Sequence, residues 1–158
     1  MDKQVTNVVI AGLGGQGVLR SSDILGAAAF RAGLDVKKAE VHGMSQRGGS
    51  VASDVRIGRD IASPMVPDGE ADYLVILTAD ELDANRHRLA EGGTLILPEA
   101  IDESALPHAR SLNVALLGVL SRELDIDEDC WREAICAHFD EKLHETNRKA
   151  FALGRGGA

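Results

Sequence analysis

Aromatic residues are scarce in this sequence. Phe30, Tyr73, Trp131, Phe139 and Phe151 make up the whole set, 3% of 158 residues. Nucleic-acid modules that stack bases need aromatic platforms, so that class is disfavoured. Positive charge is also short: 17 Lys+Arg against 25 Asp+Glu leave a net charge of −8, which argues against a general phosphate-backbone binder. The two cysteines, Cys130 and Cys136, form neither a CxxC pair nor a metal box. They read as small hydrophobic side chains in a reducing compartment, and two thiols cannot hold an iron–sulfur cluster. No apolar run approaches the roughly 20 residues of a membrane-spanning helix, and the start has no signal-peptide apolar core. A soluble, cytoplasmic protein with no membrane or nucleic-acid partner is expected.

What the sequence has in excess is glycine: 17 of 158 residues, about 11%, against a usual value of about 7%. With 44% hydrophobic residues, the composition suits close backbone packing under layers of Ala, Val, Leu and Ile. The length fits one domain, residues 1–158, with one core that buries roughly 70% of the unfolded surface.

The pattern along the chain alternates. Thr6–Ala11 is a short β-branched run that stops at glycine, which predicts a buried strand. Val18, Ser22, Leu25, Ala29 and Ala32 then share one helical stripe up to Gly33. Asp35–Val41 predicts a second strand, and the alternation over Val51–Ile57 a half-exposed third that enlarges or edges the sheet. Ile61–Asp72, with Pro64, Pro67 and Gly69, reads as a loop. Tyr73–Leu77 is the next strand. Thr78 with Glu81 has the spacing of a capping box for a helix reaching about Ala90. Gly92-Gly93 then breaks the chain before a strand at Thr94–Leu97. Helices follow over Leu112–Leu124, from Asp127 through Trp131, Ile135 and Phe139, and over Glu141–Leu153. The order implies an α/β fold: a Rossmann-like domain with an open, mostly parallel sheet and C-terminal helices.

The sharpest local motif is Gly12-Leu13-Gly14-Gly15-Gln16-Gly17, a G-x-G-x-x-G between strand and helix. Gly12 permits a tight turn, Gly14 a close approach to the backbone, and Gly17 tight helix packing beside free helix-start amides. Three readings stay open: a dinucleotide site with Glu40 on the ribose, a site for another phosphate-bearing ligand, or a turn against which a partner protein packs. A second loop, His42-Gly43-Met44-Ser45-Gln46-Arg47-Gly48-Gly49-Ser50, follows the second strand. It brings an imidazole, a hydroxyl, an amide and a guanidinium between glycines. Arg47 there could grip a phosphate or carboxylate bidentately. His42 reads more simply as a structural histidine bonded to backbone.

Together these segments resemble a known family. Asn7 to Gly17 (NVVIAGLGGQG), then Glu40 to Val51 (EVHGMSQRGGSV), are similar to the gamma subunit or domain of the 2-oxoacid:ferredoxin oxidoreductases. The similarity continues through Ser63 to Asp72, Gly92-Gly93, Asn113 to Gly118, Asn147, Ala150-Phe151 and Gly154. His-Gly-Met-Ser-Gln before Arg47 resembles the indolepyruvate branch, whose corresponding chain is the beta subunit. One departure is a short stretch between Pro98 and Asn113, which is expected to lack a strand and loop of the family.

The resemblance implies a role in oxidative decarboxylation of a 2-oxoacid with coenzyme A as co-substrate, giving an acyl-CoA, carbon dioxide and reduced ferredoxin. Thiamine diphosphate, Mg2+ and [4Fe-4S] clusters would belong to a large alpha subunit. This chain lacks a Gly-Asp-Gly motif and a cysteine cluster, so it is expected to bind no cofactor alone and to be inactive in isolation. Its expected ligand- or coenzyme-A-facing residues are Gly12, Gly14, Gly15, Gln16, Gly17, His42, Gly43, Met44, Ser45, Gln46, Arg47, Gly48 and Asn113, none of them a catalytic acid or base and none a metal ligand. Asn147 is expected to hydrogen-bond within the C-terminal helices. The competing expectations are a stand-alone NAD(P)- or flavin-binding oxidoreductase and a purely structural or regulatory subunit.

Overall fold

The computed structural model describes residues 4–42 and 49–156. Five strands form one sheet: β1 (Val5–Leu13), β2 (Asp35–His42), β3 (Ser50–Gly58), β4 (Ala71–Ile76) and β5 (Leu89–Ile96), in the order β2-β3-β1-β4-β5. β1 pairs parallel with β4, and β4 with β5. β3 is antiparallel to both β1 and β2. Every strand except β3 therefore runs the same way, and the sheet is mostly parallel as expected.

β3 is where the sequence pattern misled. Its alternation predicts one wet face, yet it lies between β2 and β1 and its residues Ser53, Asp54 and Val55 are all buried. Asp54, on the second face, is tolerated because one of its carboxylate oxygens finds partners. Asp54 Oδ2 accepts from the Val66 amide at 2.9 Å and from Arg88 at 2.8 Å.

The long helices gather on one face: α1 (Val18–Arg31), α3 (Leu112–Ser121), α4 (Glu128–His138) and α5 (His144–Arg155). Val8 and Ile10 of β1, Val55 of β3 and Val75 of β4 meet Ile24, Leu117, Trp131 and Phe151 in the main core. Trp131 and Phe151 stack obliquely, 5.4 Å between ring centroids. α3 and α5 approach so closely that a Cβ on Gly118 or Gly154 would strike the other helix's backbone. Asn147 donates to the Leu143 carbonyl at 3.0 Å, within the C-terminal helices as expected.

The opposite face carries a smaller cluster of Val9, Ala11, Leu74 and Ile76, covered by Val66 of the 61–70 strap. Asn7 anchors that strap. Its amide N–H donates to Asp72 at 2.8 Å, its side chain donates to the Glu70 carbonyl at 3.0 Å, and Arg56 bridges Asn7 Oδ1 and the Ser63 carbonyl, each at 2.9 Å. The Ser63–Asp72 motif thus holds the fold together at the end of β1 away from the glycine turn.

Two further boundaries differ from expectation. No long helix follows Thr78; a 3-10 turn at Ala79–Glu81, the four-residue α2 (Leu82–Asn85) and another 3-10 turn at Arg86–Arg88 take its place. The Thr78 hydroxyl is engaged by the Gln16 side chain instead of capping, and Arg88 turns inward to Asp54. Gly92-Gly93 does not precede β5 but lies inside it, where the pairing with β4 jumps register and Gly92 takes φ 79°. The 98–111 stretch has single 3-10 turns at Pro98–Ala100, Glu103–Ala105 and Ala109–Ser111, with no strand.

Candidate functional site: a cleft beside the glycine turn

β1 ends at Leu13 and α1 begins at Val18, so the chain must reverse within four residues. The turn is closed internally. Leu13 N–H donates to Gln16 Oε1 at 2.7 Å, and Gln16 N–H returns to the Leu13 carbonyl at 3.1 Å. The Gln16 side-chain amide then donates to Thr78 Oγ, tying the ends of β1 and β4 together.

The glycines divide by role. A Cβ on Gly12 would lie 2.9 Å from Gln16 Oε1 and 3.0 Å from Leu77 Cβ, so Gly12 is required by packing. The Gly14 amide is taken by the Gly49 carbonyl at 2.8 Å. The group that approaches the backbone at Gly14 is therefore the chain itself. Gly17 holds φ 84° at the start of α1, with the Asn113 carboxamide against it. A Cβ on Gly15 would meet open space.

Gly15, Gln16, Gly17 and Asn113 line one cleft of about 450 Å³. Two arginines complete it, Arg20 from the first turn of α1 and Arg110 from the last 3-10 turn before α3. Arg20 sits over the Phe139 ring, 5.1 Å from its centroid, and donates to the His138 carbonyl. The Arg110 amide donates to His108 Nδ1 at 3.1 Å, which fixes the local turn. Asn113 is 6% exposed and its amide donates to the Gly17 carbonyl at 3.3 Å.

The chemistry of this lining is anionic recognition. The first-turn amides of α1 have no earlier helical carbonyl to bond, and no acidic side chain stands in that turn. A cation such as Arg20 opposes the helix dipole there unless an anion joins it. The lining offers two guanidinium groups and two carboxamides, with no carboxylate and no thiol. That set fits a phosphate or carboxylate and does not fit a metal ion, thiamine-bound Mg2+ or an iron–sulfur cluster.

Other expected positions fall elsewhere. His42 ends β2, exposed and opposite Val51. Gly43, Met44, Ser45, Gln46, Arg47 and Gly48 lie outside the described residues. Glu40 is paired with Ser53 of β3 and so is separated from β1 by a whole strand, roughly 5 Å farther than in an adjacent-strand arrangement. The ribose contact of a dinucleotide site is not formed there. Arg20 and Arg110 were missed from sequence. Arg20 carries a faint signal, a basic residue in an acid-free first turn; Arg110 carries none, because its placement depends on irregular chain.

The family comparison agrees with the motif reading. The model of the pyruvate ferredoxin/flavodoxin oxidoreductase family matches residues 7–109, well over half of the chain. The chain belongs to this family. Within the pyruvate ferredoxin/flavodoxin oxidoreductases it is similar to the indolepyruvate oxidoreductase subunit IorB of Thermococcus kodakarensis, 52% identical over 89 residues, covering 55% of this chain and 43% of the relative. The chain thus matches less than half the length of that curated relative. Among solved structures, a 2-oxoglutarate:ferredoxin oxidoreductase from Magnetococcus marinus, solved with 2-oxoglutarate, coenzyme A and succinyl-CoA bound, shares the fold. Its TM-score is 0.83 at 21% identity over 98% of this chain and 31% of that one. The gamma subunit of a keto/oxoacid ferredoxin oxidoreductase from Geobacter sulfurreducens does so with TM-score 0.74 at 23% identity, over 96% of this chain and 95% of that one. Among the described residues no helix is long and apolar enough to cross a membrane.

Proposed function

We propose that this chain is the small, non-redox subunit of a 2-oxoacid:ferredoxin oxidoreductase of the indolepyruvate type, a single gamma-type domain working in the cytoplasm. In this reading a large alpha subunit holds thiamine diphosphate, Mg2+ and [4Fe-4S] clusters. The thiamine supplies the carbanion chemistry of decarboxylation, and ferredoxin receives the electrons. The 2-oxoacid, an arylpyruvate, leaves as its acyl-CoA and carbon dioxide. The isolated chain is inactive.

The observation that carries the reading is the cleft beside the glycine turn, with Arg20 and Arg110 in its lining. Coenzyme A brings phosphates, and the reaction needs it held while its thiol takes the acyl group. In this arrangement Arg20 and Arg110 neutralise the phosphates, and the α1 amides add hydrogen bonds to the anion. The Phe139 ring beneath Arg20 keeps the guanidinium positioned before ligand arrives. None of these residues moves a proton. Their contribution is binding and orientation, so it registers mainly in the Michaelis constant for coenzyme A.

The test is reconstitution with the large subunit, followed by arylpyruvate-dependent reduction of a viologen dye. Activity should require both chains. Arg20→Ala and Arg110→Ala should each raise KM for coenzyme A by roughly tenfold with little change in kcat. Arg47→Ala extends the test to the second loop. Full activity of the large subunit alone would overturn the assignment, and micromolar NADH or flavin binding by the isolated chain would favour a stand-alone oxidoreductase instead.

A further inference from the structure

The end of α4 leaves carbonyls that the helix cannot satisfy by itself. Phe139, directly after α4, is extended at φ −134° and ψ 151°, so the helical ladder stops at His138. The last carbonyls then need donors from outside. Two side chains supply them, each from another helix. His144, the first residue of α5, places Nε2 2.9 Å from the Cys136 carbonyl and 2.8 Å from the Phe139 carbonyl. Arg20 of α1 donates to the His138 carbonyl.

The two carbonyls fix the state of the His144 ring. A carbonyl oxygen only accepts, so the Nε2 between them carries a proton and donates to both. A ring with its proton on Nδ1 alone would turn a lone pair toward two oxygens. His144 is thus a staple across the turn from α4 to α5. That turn has bonds of its own, from the Leu143 amide to the Asp140 carbonyl at 2.8 Å and from Asn147 to the Leu143 carbonyl. Neither of these reaches Phe139.

Phe139 is where the staple meets the cleft. Its carbonyl takes the His144 proton, while its ring centroid lies 5.1 Å from Arg20 Cζ in the cleft lining. Its neighbour His138 gives Arg20 a carbonyl. Both contacts are with uncharged groups, so the guanidinium is held with its charge left for an anion. An unheld arginine has many rotamers to lose on binding, and one already fixed loses few. His144 itself does not line the cleft.

We infer that His144 is a positioning residue for the anion site. By donating to the Cys136 and Phe139 carbonyls it holds the ring and the carbonyl that aim Arg20 into the cleft. The inference rests on the coenzyme A reading above and adds to it a residue that touches no ligand. Arg110 stands outside this chain of contacts, since its turn is fixed by His108.

The test uses variants in the complex reconstituted with the large subunit, read as KM for coenzyme A and as kcat. His144→Phe keeps a ring and removes the donor. It should raise KM roughly fivefold and leave kcat within about twofold. His144→Gln returns an amide donor at about the reach of Nε2 and should recover most of that loss. Added to Arg20→Ala, His144→Phe should change KM by less than about twofold, because the arginine it serves is gone. Added to Arg110→Ala, it should again cost roughly fivefold. An equal cost on both backgrounds, or an unaltered KM in His144→Phe alone, would overturn the inference.

Nitrogen-15 and proton NMR of the unaltered full chain give a reading that needs neither ligand nor variant. His144 Nε2 should carry a proton, and the Phe139 ring current should shift Arg20 side-chain protons upfield. A proton on Nδ1 alone, or unshifted Arg20 signals, would overturn the positioning role in the chain itself. If both signals are found but Arg20→Ala and Arg110→Ala leave KM for coenzyme A unchanged, the coenzyme A reading falls, and the purpose assigned to His144 falls with it.

Discussion

The Asn113 carboxamide occupies the space that a Cβ on Gly17 would need, and it holds the Gly17 carbonyl at 3.3 Å. A residue of α3 is thereby locked to the first residue of the turn that starts α1. Gly17 also sits at φ 84°, where side chains are strained. Gly17→Ala should therefore cost about 2 kcal/mol or more in urea unfolding. Asn113→Ala removes the obstructing amide, so the double variant should lose clearly less than the sum of the two single changes. Strict additivity would mean that the two residues do not meet as described.

A second prediction concerns Asp54 and Arg88. The carboxylate is wholly buried, paired at 2.8 Å, and it also receives the Val66 amide. Removing one partner strands a charge, so Arg88→Met should destabilise the fold by about 3 kcal/mol. Asp54→Leu combined with Arg88→Met should recover much of that loss, since neither charge is then left alone. Denaturant unfolding of the single and double variants makes the comparison.

Tyr73 is the sole tyrosine, so its ionisation can be followed without ambiguity by phenolate absorbance. Partial burial raises its pKa, and the carboxylates of Glu123 and Asp72 push the same way. A folded-state value above the unfolded one means stability is intact below the unfolded phenol range and falls as pH rises through the folded value. The native chain should form phenolate at higher pH than the denatured chain. Tyr73→Phe should remove that part of the alkaline destabilisation.

At the α3–α5 crossing, a Cβ on Gly154 would strike the Ala115 carbonyl, and one on Gly118 the Phe151 carbonyl. Backbone cannot step aside as a flexible side chain can. Gly154→Ala should cost about 3 kcal/mol in thermal or urea unfolding, with Trp131 fluorescence reporting the loosened helix layer. A stability within about 0.5 kcal/mol of the unaltered chain would contradict the close crossing.

Much of the framework was legible in the residues. The run Thr6–Ala11 ending in glycine, the stripe Val18–Ala29 and the apolar stretch from Leu112 announce their elements, because each buries a face with the right period. β3 was harder to read. Its alternation describes a strand with one wet side, and only the tertiary placement of Arg88 and Val66 explains how Asp54 can be dry. The helix expected after Thr78 failed for a similar reason, since the capping hydroxyl was claimed by Gln16, 62 positions away. At the site, Gly15, Gln16, Gly17 and Asn113 were readable as a group. Arg110 was not, because a run of 3-10 turns has no periodic signature that says where a side chain will arrive.

The placement of β1 has a consequence for how the protein is made. β1 is made before the other four strands, yet it is the central strand, and its two neighbours are residues 50–58 and 71–76. One edge of β1 waits for residues 50–58, about a third of the way along the chain, and the other for residues 71–76, about half. Meanwhile Val8, Val9 and Ile10, all wholly buried in the finished fold, stay available to chaperones or to other nascent chains. β2 and β3 can zip together locally before β1 is captured, since they are adjacent and antiparallel. β1 is thus enclosed only after two later strands arrive, and slowing translation before residue 71 should lengthen its exposure.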